Sequence, residues 1–529
     1  MVKLHKTLLN TVPSELGPTP QVSAQYVSVN IQQGTLRGNT TSTVSGTTYY
    51  TFRGIPYAKP PKGELRFTSP QNADPWTEPI DAFEFGSYCR QEKSGGSEDC
   101  LFINVFTPKL PSKEDDSLLP VMVWIHGGAF VTGSGNIEPG HLLDLGVVVV
   151  SLNYRLNVFG FLSLDGTNAP GNAGLKDQSF ALRWVQNNIA SFGGDPDIVT
   201  IFGGSAGGAS VHYQVLSPLS AGLFHRAISE SGSALNPWAY VDHTQERAFR
   251  LGSYLGHETE DTQDLLDFLN TKWESTSKSV VTCTDGRGEG PFHLKPFLPL
   301  SDEQPFLPYY PYYIEANGLY NKVPYITGVN INEAASFVNN YNITAPSYWE
   351  EVENDLERIV PLDLGLTKGS AQSIEVANKI KEFYFGEEAI SYETLQNWID
   401  LHTDLRYALG VQTTVHRHSN FSDTSTYNYQ FSYANARHGW EVQFVFYKYA
   451  LEGVSSNGAK IARFFSSLWT SFAKSGVPSV EGEVTWTPVS TNSYPYLQIS
   501  NDLTLLSDLE KERINFWFDI YSNYYNGSK

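Results

Sequence analysis

Ile198-Val199-Thr200-Ile201-Phe202-Gly203-Gly204-Ser205-Ala206-Gly207-Gly208-Ala209-Ser210-Val211-His212-Tyr213 is the stretch from which the rest of the chain can be understood. Its first half is β-branched and aromatic, the composition of a buried strand. Its second half is small and compatible with a helix. Between them stands a Gly-x-Ser-x-Gly hinge, the pattern of a strand-to-helix turn that holds a serine hydroxyl up in a strained conformation. A side chain at either outer glycine would collide with the neighbouring strand or helix. Alone the pattern is weak: a chain with 44 glycines meets it by chance roughly 0.3 times. A Gly-rich turn with an idle serine is therefore the alternative, and the flanking strand and helix patterns argue against it.

Val121 to Ile125 is an unbroken apolar run that ends at His126-Gly127-Gly128-Ala129-Phe130. Val147 to Leu152 is another, ending at Asn153-Tyr154-Arg155. Both have the pattern of central parallel strands buried on two faces. Leu175, Ala181, Leu182, Val185 and Ile189 recur at helical spacing before Gly193-Gly194. Further strands are predicted at Ala227 to Ser229, Val323 to Val329 and Tyr427 to Tyr433. Strands alternating with helices predict an α/β architecture, a large and mostly parallel central sheet flanked by helices, with active groups at the strand C-terminal ends.

Before this core, Val27, Val29 and Ile31 alternate up to Gly34, and Tyr49 to Phe52 forms a further strand, so a small antiparallel N-terminal sheet is expected. Arg53 to Pro61, with three prolines, must be extended rather than helical. Residues 301–313, dense in proline and tyrosine, predict an irregular aromatic wall. Phe516 to Tyr521 predicts a helix docked by its aromatics. Length alone allows three or four domains. No repeat or clean linker divides the chain, so residues 1–21 are expected to be an arm and 22–525 a single domain.

The composition, 40% hydrophobic and 17% charged over 529 residues, permits a large core without metals or dense disulfides. A net charge of −20 disfavours a nucleic-acid partner, because a phosphate backbone demands a basic surface. No run approaches the ~20 apolar residues of a membrane span. Residues 1–20 lack the apolar segment of a signal peptide, so a secreted protein would have lost its leader, and a cytoplasmic one would never have had it. Sequons begin at Asn39, Asn342, Asn420 and Asn526 and favour neither location. Cys89 and Cys100 bracket a short polar segment with Gly95-Gly96, which suits a local disulfide worth roughly 3 kcal/mol. Two reduced buried thiols are the alternative.

A serine hydroxyl is a poor nucleophile near neutral pH; it needs a base, and the base needs an orienting carboxylate. It also needs donors for the oxyanion that forms on attack. Gly127 and Gly128, following a parallel strand, leave amide N–H groups free to point at one oxygen, unless these glycines merely turn the chain. Ala206 would supply a third N–H. In a strand–elbow–helix fold the partners follow in the order Ser, acid, His. Glu333 lies just past the strand ending at Val329. His402 falls in a helix-like stretch and His416 and His418 in a polar one, whereas His438 follows the strand ending at Tyr433. On spacing, an ordinary surface glutamate and a satisfied structural histidine remain open at these two positions.

These stretches together resemble the type-B carboxylesterases, the esterase and lipase branch that includes the cholinesterases, from about Gln25 to Tyr521. The matching segments include Phe52 to Ala58, Leu65-Arg66-Phe67, Ser97 to Leu101, His126 to Phe130, Asn172 to Gln178, Phe192 to Pro196 and the serine hinge. Leu223-Phe224-His225-Arg226-Ala227-Ile228-Ser229-Glu230-Ser231-Gly232-Ser233 looks most like the insect esterases. The resemblance implies an α/β-hydrolase fold, Ser205 as nucleophile, Glu333 as acid and His438 as base. It also implies Gly127, Gly128 and Ala206 as the oxyanion hole and a Cys89–Cys100 disulfide. The implied substrate is a small carboxylic ester, with no metal or cofactor. Extracellular location with glycosylation is expected, and the oligomeric state is left open. Dedicated hormone, pheromone or xenobiotic esterases share this mechanism, and a catalytically silent binding or adhesion protein can share the fold. Loss of the serine or histidine would mark the last; both are present.

The chain departs from the resemblance in places. Gly204 stands before the serine where members usually carry glutamate, Cys283 has no partner, and Ala436-Arg437 precedes the histidine. The segment between Cys89 and Cys100 is short and has no tryptophan, so the cation–π platform for choline is missing from its usual place. Choline esters should accordingly show no advantage over neutral esters of equal size. A kcat/KM preference beyond about tenfold for the cationic ester, or 1.4 kcal/mol, would refute this.

Overall fold

The apolar runs become strands buried on both faces. The computed structural model describes residues 26–91, 95–240, 244–271, 305–338, 345–446 and 456–525. Its strands are β1 (Val27–Ile31), β2 (Gly34–Ser42), β3 (Thr48–Pro56), β4 (Ile80–Asp81), β5 (Phe102–Thr107), β6 (Leu119–Ile125) and β7 (Val148–Leu152). There follow β8 (Gly194–Gly204), β9 (Arg226–Glu230), β10 (Tyr325–Asn330), β11 (Thr426–Phe431), β12 (Pro495–Ile499) and β13 (Leu503–Ser507).

They form one sheet in the order β1-β2-β3-β5-β7-β6-β8-β9-β10-β11-β12-β13, with β4 alongside β2. From β7 to β12 every neighbouring pair is parallel. Both flanks are antiparallel. The N-terminal antiparallel part runs on into the central sheet, because β3 pairs β5. This is the α/β-hydrolase architecture that the resemblance implies. Arg53 to Pro56 is extended as expected; it is the end of β3, after a register shift between Phe52 and Ile55.

Alternation along β6 shows how the layers are held. Val121, Val123 and Ile125 pack into one core with Leu175, Leu182 and Val185 of the helix Ala173–Asn188. Met122 and Trp124 face the other core with Phe465, Leu468 and Trp469 of the helix Ser456–Ser475. A strand covered on both faces by helices gains nothing from polar residues, so its sequence is a continuous apolar run. The helix Lys511–Tyr524 docks by Trp517 and Ile520, as its aromatics predict.

The expected aromatic wall is in part regular. Pro311–Ala316 is a short helix that begins on the proline, where a ring with no N–H is tolerated because the first-turn donors have no intrahelical acceptor. Residues 301–304, Cys283 and the sequons at Asn342 and Asn526 lie outside the described residues.

Cys89 and Cys100 are bonded. Two buried ion pairs flank them: Arg66 forks onto Glu98, and Arg155 grips Asp177 through Nε at 2.8 Å and Nη2 at 2.7 Å. Bidentate geometry satisfies both charges at once, and removing either partner strands the other, at about 3–5 kcal/mol. Replacing both disulfide cysteines by serine should cost about 3 kcal/mol by releasing the loop in the unfolded chain. Denaturant titration measures this, and an unchanged midpoint would refute it. Peptide mapping without reduction is expected to find Cys283 unpaired.

Candidate active site

Four chain segments converge at the C-terminal edge of the parallel strands. Gly127 and Gly128 follow β6, Ser205 follows β8, Glu333 lies just past β10, and His438 lies beyond β11. This is the edge where open α/β sheets leave a crevice between connections.

Ser205 has φ 60° and ψ −125°, a conformation that costs a non-glycine residue about 1–3 kcal/mol. Its surroundings over-determine it. The Ser205 N–H donates to Glu230 O at 2.8 Å, and Ser205 O accepts from Ala209 N at 2.9 Å at the start of the helix Ala206–Leu216. A Cβ on Gly203 would lie 2.5 Å from Ile125 O, and one on Gly207 only 2.1 Å from the same oxygen. The turn therefore backs directly onto the last carbonyl of β6.

Ser205 Oγ lies 2.7 Å from His438 Nε2, and His438 Nδ1 lies 2.6 Å from Glu333 Oε2. The other oxygen of Glu333 accepts from the Asn330 N–H at 2.7 Å. Glu333 has no exposed side-chain area and His438 keeps 18%, so the carboxylate is sealed and one edge of the ring stays open. With Glu333 as acceptor, the imidazole proton sits on Nδ1 and the Nε2 lone pair faces the serine. Burial is the largest single influence on His438 and works against its charge. The attraction and hydrogen bond of Glu333, with the charge of Glu441, outweigh it and hold the imidazole above its ordinary value.

Tyr407 covers the other side of the ring, with centroids 4.5 Å apart. It belongs to a π-helical turn, Asp404–Ala408, of the kind that frees backbone carbonyls and recurs at functional sites. Here Arg406 O accepts from Trp238 Nε1 at 2.7 Å and Tyr407 O accepts from Asn236 Nδ2 at 2.9 Å.

Gly127 packs its backbone against the serine: a Cβ there would meet Gly204 O at 2.5 Å and Ser205 Cβ at 3.1 Å. Gly128 has φ 107°. Ala206 opens the helix, so its N–H has no intrahelical acceptor. His126 stacks on Tyr154 at 4.3 Å, and burial lowers its pKa to about 4, so it stays neutral beside the glycines.

The other histidines are engaged elsewhere. His402 packs on Trp398 at 4.3 Å, His416 stacks on Tyr494 at 4.0 Å, and His418 meets Thr426 Oγ1 at 2.9 Å. His416 and His418 lie on the helix Leu409–Phe421, where the sequence indicated only a polar stretch. Asn330, Tyr407, Glu230 and Glu441 were not visible as site residues, because no pattern around them pointed to the site. Among the described residues, no group of three or more His, Cys, Asp or Glu is arranged to hold a metal ion.

Residues 25–517 match the model of the carboxylesterase family. A carboxylic ester hydrolase of Bombus ignitus is 35% identical over 94% of this chain and 95% of its own. Venom carboxylesterase-6 of Apis mellifera is 34% identical over 94% and 95%. The crystal structure of juvenile hormone esterase from Manduca sexta, with OTFP covalently attached, superposes with a TM-score of 0.85 at 28% identity, covering 94% of this chain and all of that one.

Gly207→Ala should be the most damaging small substitution at the turn, because its methyl group would come within 2.1 Å of the Ile125 carbonyl oxygen, closer than one at Gly203 or Gly208 comes to any backbone atom. A loss of more than about 3 kcal/mol, or failure to accumulate folded, is expected. A thermal melt within a degree of the parent would contradict it.

Proposed function

Because the chain belongs to the carboxylesterase family, we propose that it hydrolyses carboxylic esters through an acyl-enzyme on Ser205, with His438 as base and Glu333 as its orienting acid. The observation that carries this is the unbroken line from Ser205 Oγ through His438 to Glu333, with contacts of 2.7 and 2.6 Å. Attack on the ester carbonyl passes the serine proton to Nε2, and the buried carboxylate stabilises the imidazolium that forms. The oxyanion falls to the N–H groups of Gly127, Gly128 and Ala206, fixed before the reaction begins and so requiring no reorganisation. His438 then gives its proton to the departing alcohol, and water releases the acid by the same route.

The strained turn at Ser205 supports the assignment, since an idle serine has no reason to be held at φ 60°. A narrower role as a hormone or pheromone esterase takes support from the likeness to juvenile hormone esterase. A graded series of acyl and alcohol chains separates it from general ester hydrolysis, as a sharp optimum in kcat/KM against a broad plateau. No helix of the described residues is long and apolar enough to cross a membrane.

An organophosphate ester should label Ser205 at one-to-one stoichiometry, with activity falling in step. Ser205→Ala should lose activity on the order of 10⁶-fold in kcat, and Glu333→Gln on the order of 10⁴-fold. A label on another residue, or near-normal turnover in Glu333→Gln, would overturn the assignment. Only neutral imidazole can accept the serine proton, and its folded pKa is raised. Activity should therefore be present above that value and disappear as pH falls through it, with the midpoint above about 6.5. A kcat/KM profile still flat at pH 5.5 would sink this expectation.

A further inference from the structure

Beneath Ser205 lie two carboxyl groups that ester hydrolysis does not use. Glu230 ends β9, and Glu441 precedes the short helix Val442–Val445. Both are 0% exposed. Among the described residues neither forms an ion pair with lysine or arginine.

Their hydrogen bonding differs. Glu441 accepts from Ser231 Oγ at 3.0 Å through one oxygen and from Asn330 Nδ2 through the other. Glu230 accepts from Trp469 Nε1 at 2.7 Å through Oε1, while its Oε2 is buried with no partner. Gly204 faces that oxygen across a space that Val442 narrows. A Cβ there would sit 3.7 Å from Glu230 Oε2 and 3.0 Å from Val442 Cγ2.

A carboxylate oxygen left bare in the interior is costly, whereas a protonated acid is far cheaper to bury. Glu441, with both oxygens accepting, suits the anion; Glu230 suits the acid. Two adjacent carboxylates without a cation cannot both ionise near neutrality. Asn330 links the pair to the site, for its side chain donates to Glu441 and its backbone N–H donates to Glu333 at 2.7 Å.

We propose that Glu230 and Glu441 carry one proton between them, Glu230 as the neutral acid and Glu441 as the anion, and that Glu441, tied to Glu333 through Asn330, is a positioning residue for the His438 imidazole. The titratable groups facing the pair are Glu333 and His438 from the loops after β10 and β11, and Tyr429 from β11. Asn330, Ser231 and Trp469 supply the neutral donors. Burial, then the charge of Glu441, pushes Glu230 up to about 8. Burial and the charge of Glu333 raise Glu441 to about 7, below Glu230, although the Asn330 donor and His438 pull it down.

The inference rests on His438 acting as the base, and the tests keep the two apart. In a kcat/KM profile with a neutral p-nitrophenyl ester from pH 5 to 9, Glu441→Gln should move the acid limb down by about half a pH unit or more. An unmoved limb, while Ser205→Ala and Glu333→Gln show the losses given above, would overturn the pair alone. For Glu230 the measurement is stability. Its folded pKa is raised, so its contribution is full below the ordinary carboxyl range and is lost as pH rises towards 8. Glu230→Gln should therefore gain on the parent by about tenfold in folding equilibrium for each pH unit between 5 and 8, read by urea titration. A difference constant across that range would mean the carboxyl is merely structural and would overturn its place in the pair. Should Glu230→Gln not fold, the Glu441→Gln profile decides.

Discussion

The carbonyl oxygen of Ile125 occupies the space that a side chain on Gly203 or Gly207 would need, at 2.5 and 2.1 Å. That contact sets how closely the turn after β8 approaches β6, and much else depends on it. It puts Ser205 beside the backbone of Gly127, so the proposed nucleophile and two of the candidate oxyanion donors come from adjoining strands of one sheet. The strain at Ser205 persists because β9 and the helix that follows the serine clamp it from both sides. Such pre-organisation lets hydrogen-bond donors act on a developing charge without moving.

Around this turn the electrostatics are one-sided. Glu333, Glu441 and Glu230 all lie within the buried shell about His438 and Tyr429, and the protein answers with neutral donors rather than cations. Asn330 is the connecting piece, donating to two of the three carboxyl groups. The arrangement favours a positively charged imidazole, the species a general base must become in the transition state.

The sheet was legible because burial on two faces leaves an unmistakable apolar run, as in Val121 to Ile125 and Val147 to Leu152. The serine turn was legible because close backbone approach requires glycine. Glu333 and His438 were legible only as residues at strand ends, with the resemblance to a family deciding between them and their neighbours. Pro311–Ala316 escaped because a proline that starts a helix looks, in sequence, like one that prevents it. Glu230, Glu441, Asn330 and Tyr407 escaped for a different reason. Their roles exist only through contacts made across the sheet, and Gly204 signals an absence whose meaning depends on what faces it.

Ser205 and His438 are 233 residues apart in the chain, and β11, which leads to His438, is laid between β10 and β12. The order of synthesis therefore delays the assembly of the site. A growing chain exposes the serine turn long before the strand carrying the histidine has been made, and that strand gains its outer neighbour only when residues 495–499 arrive. Long-range closure of this kind is slow. Until it is complete Ser205 has no imidazole beside it, and the arrangement proposed for ester hydrolysis is not yet assembled.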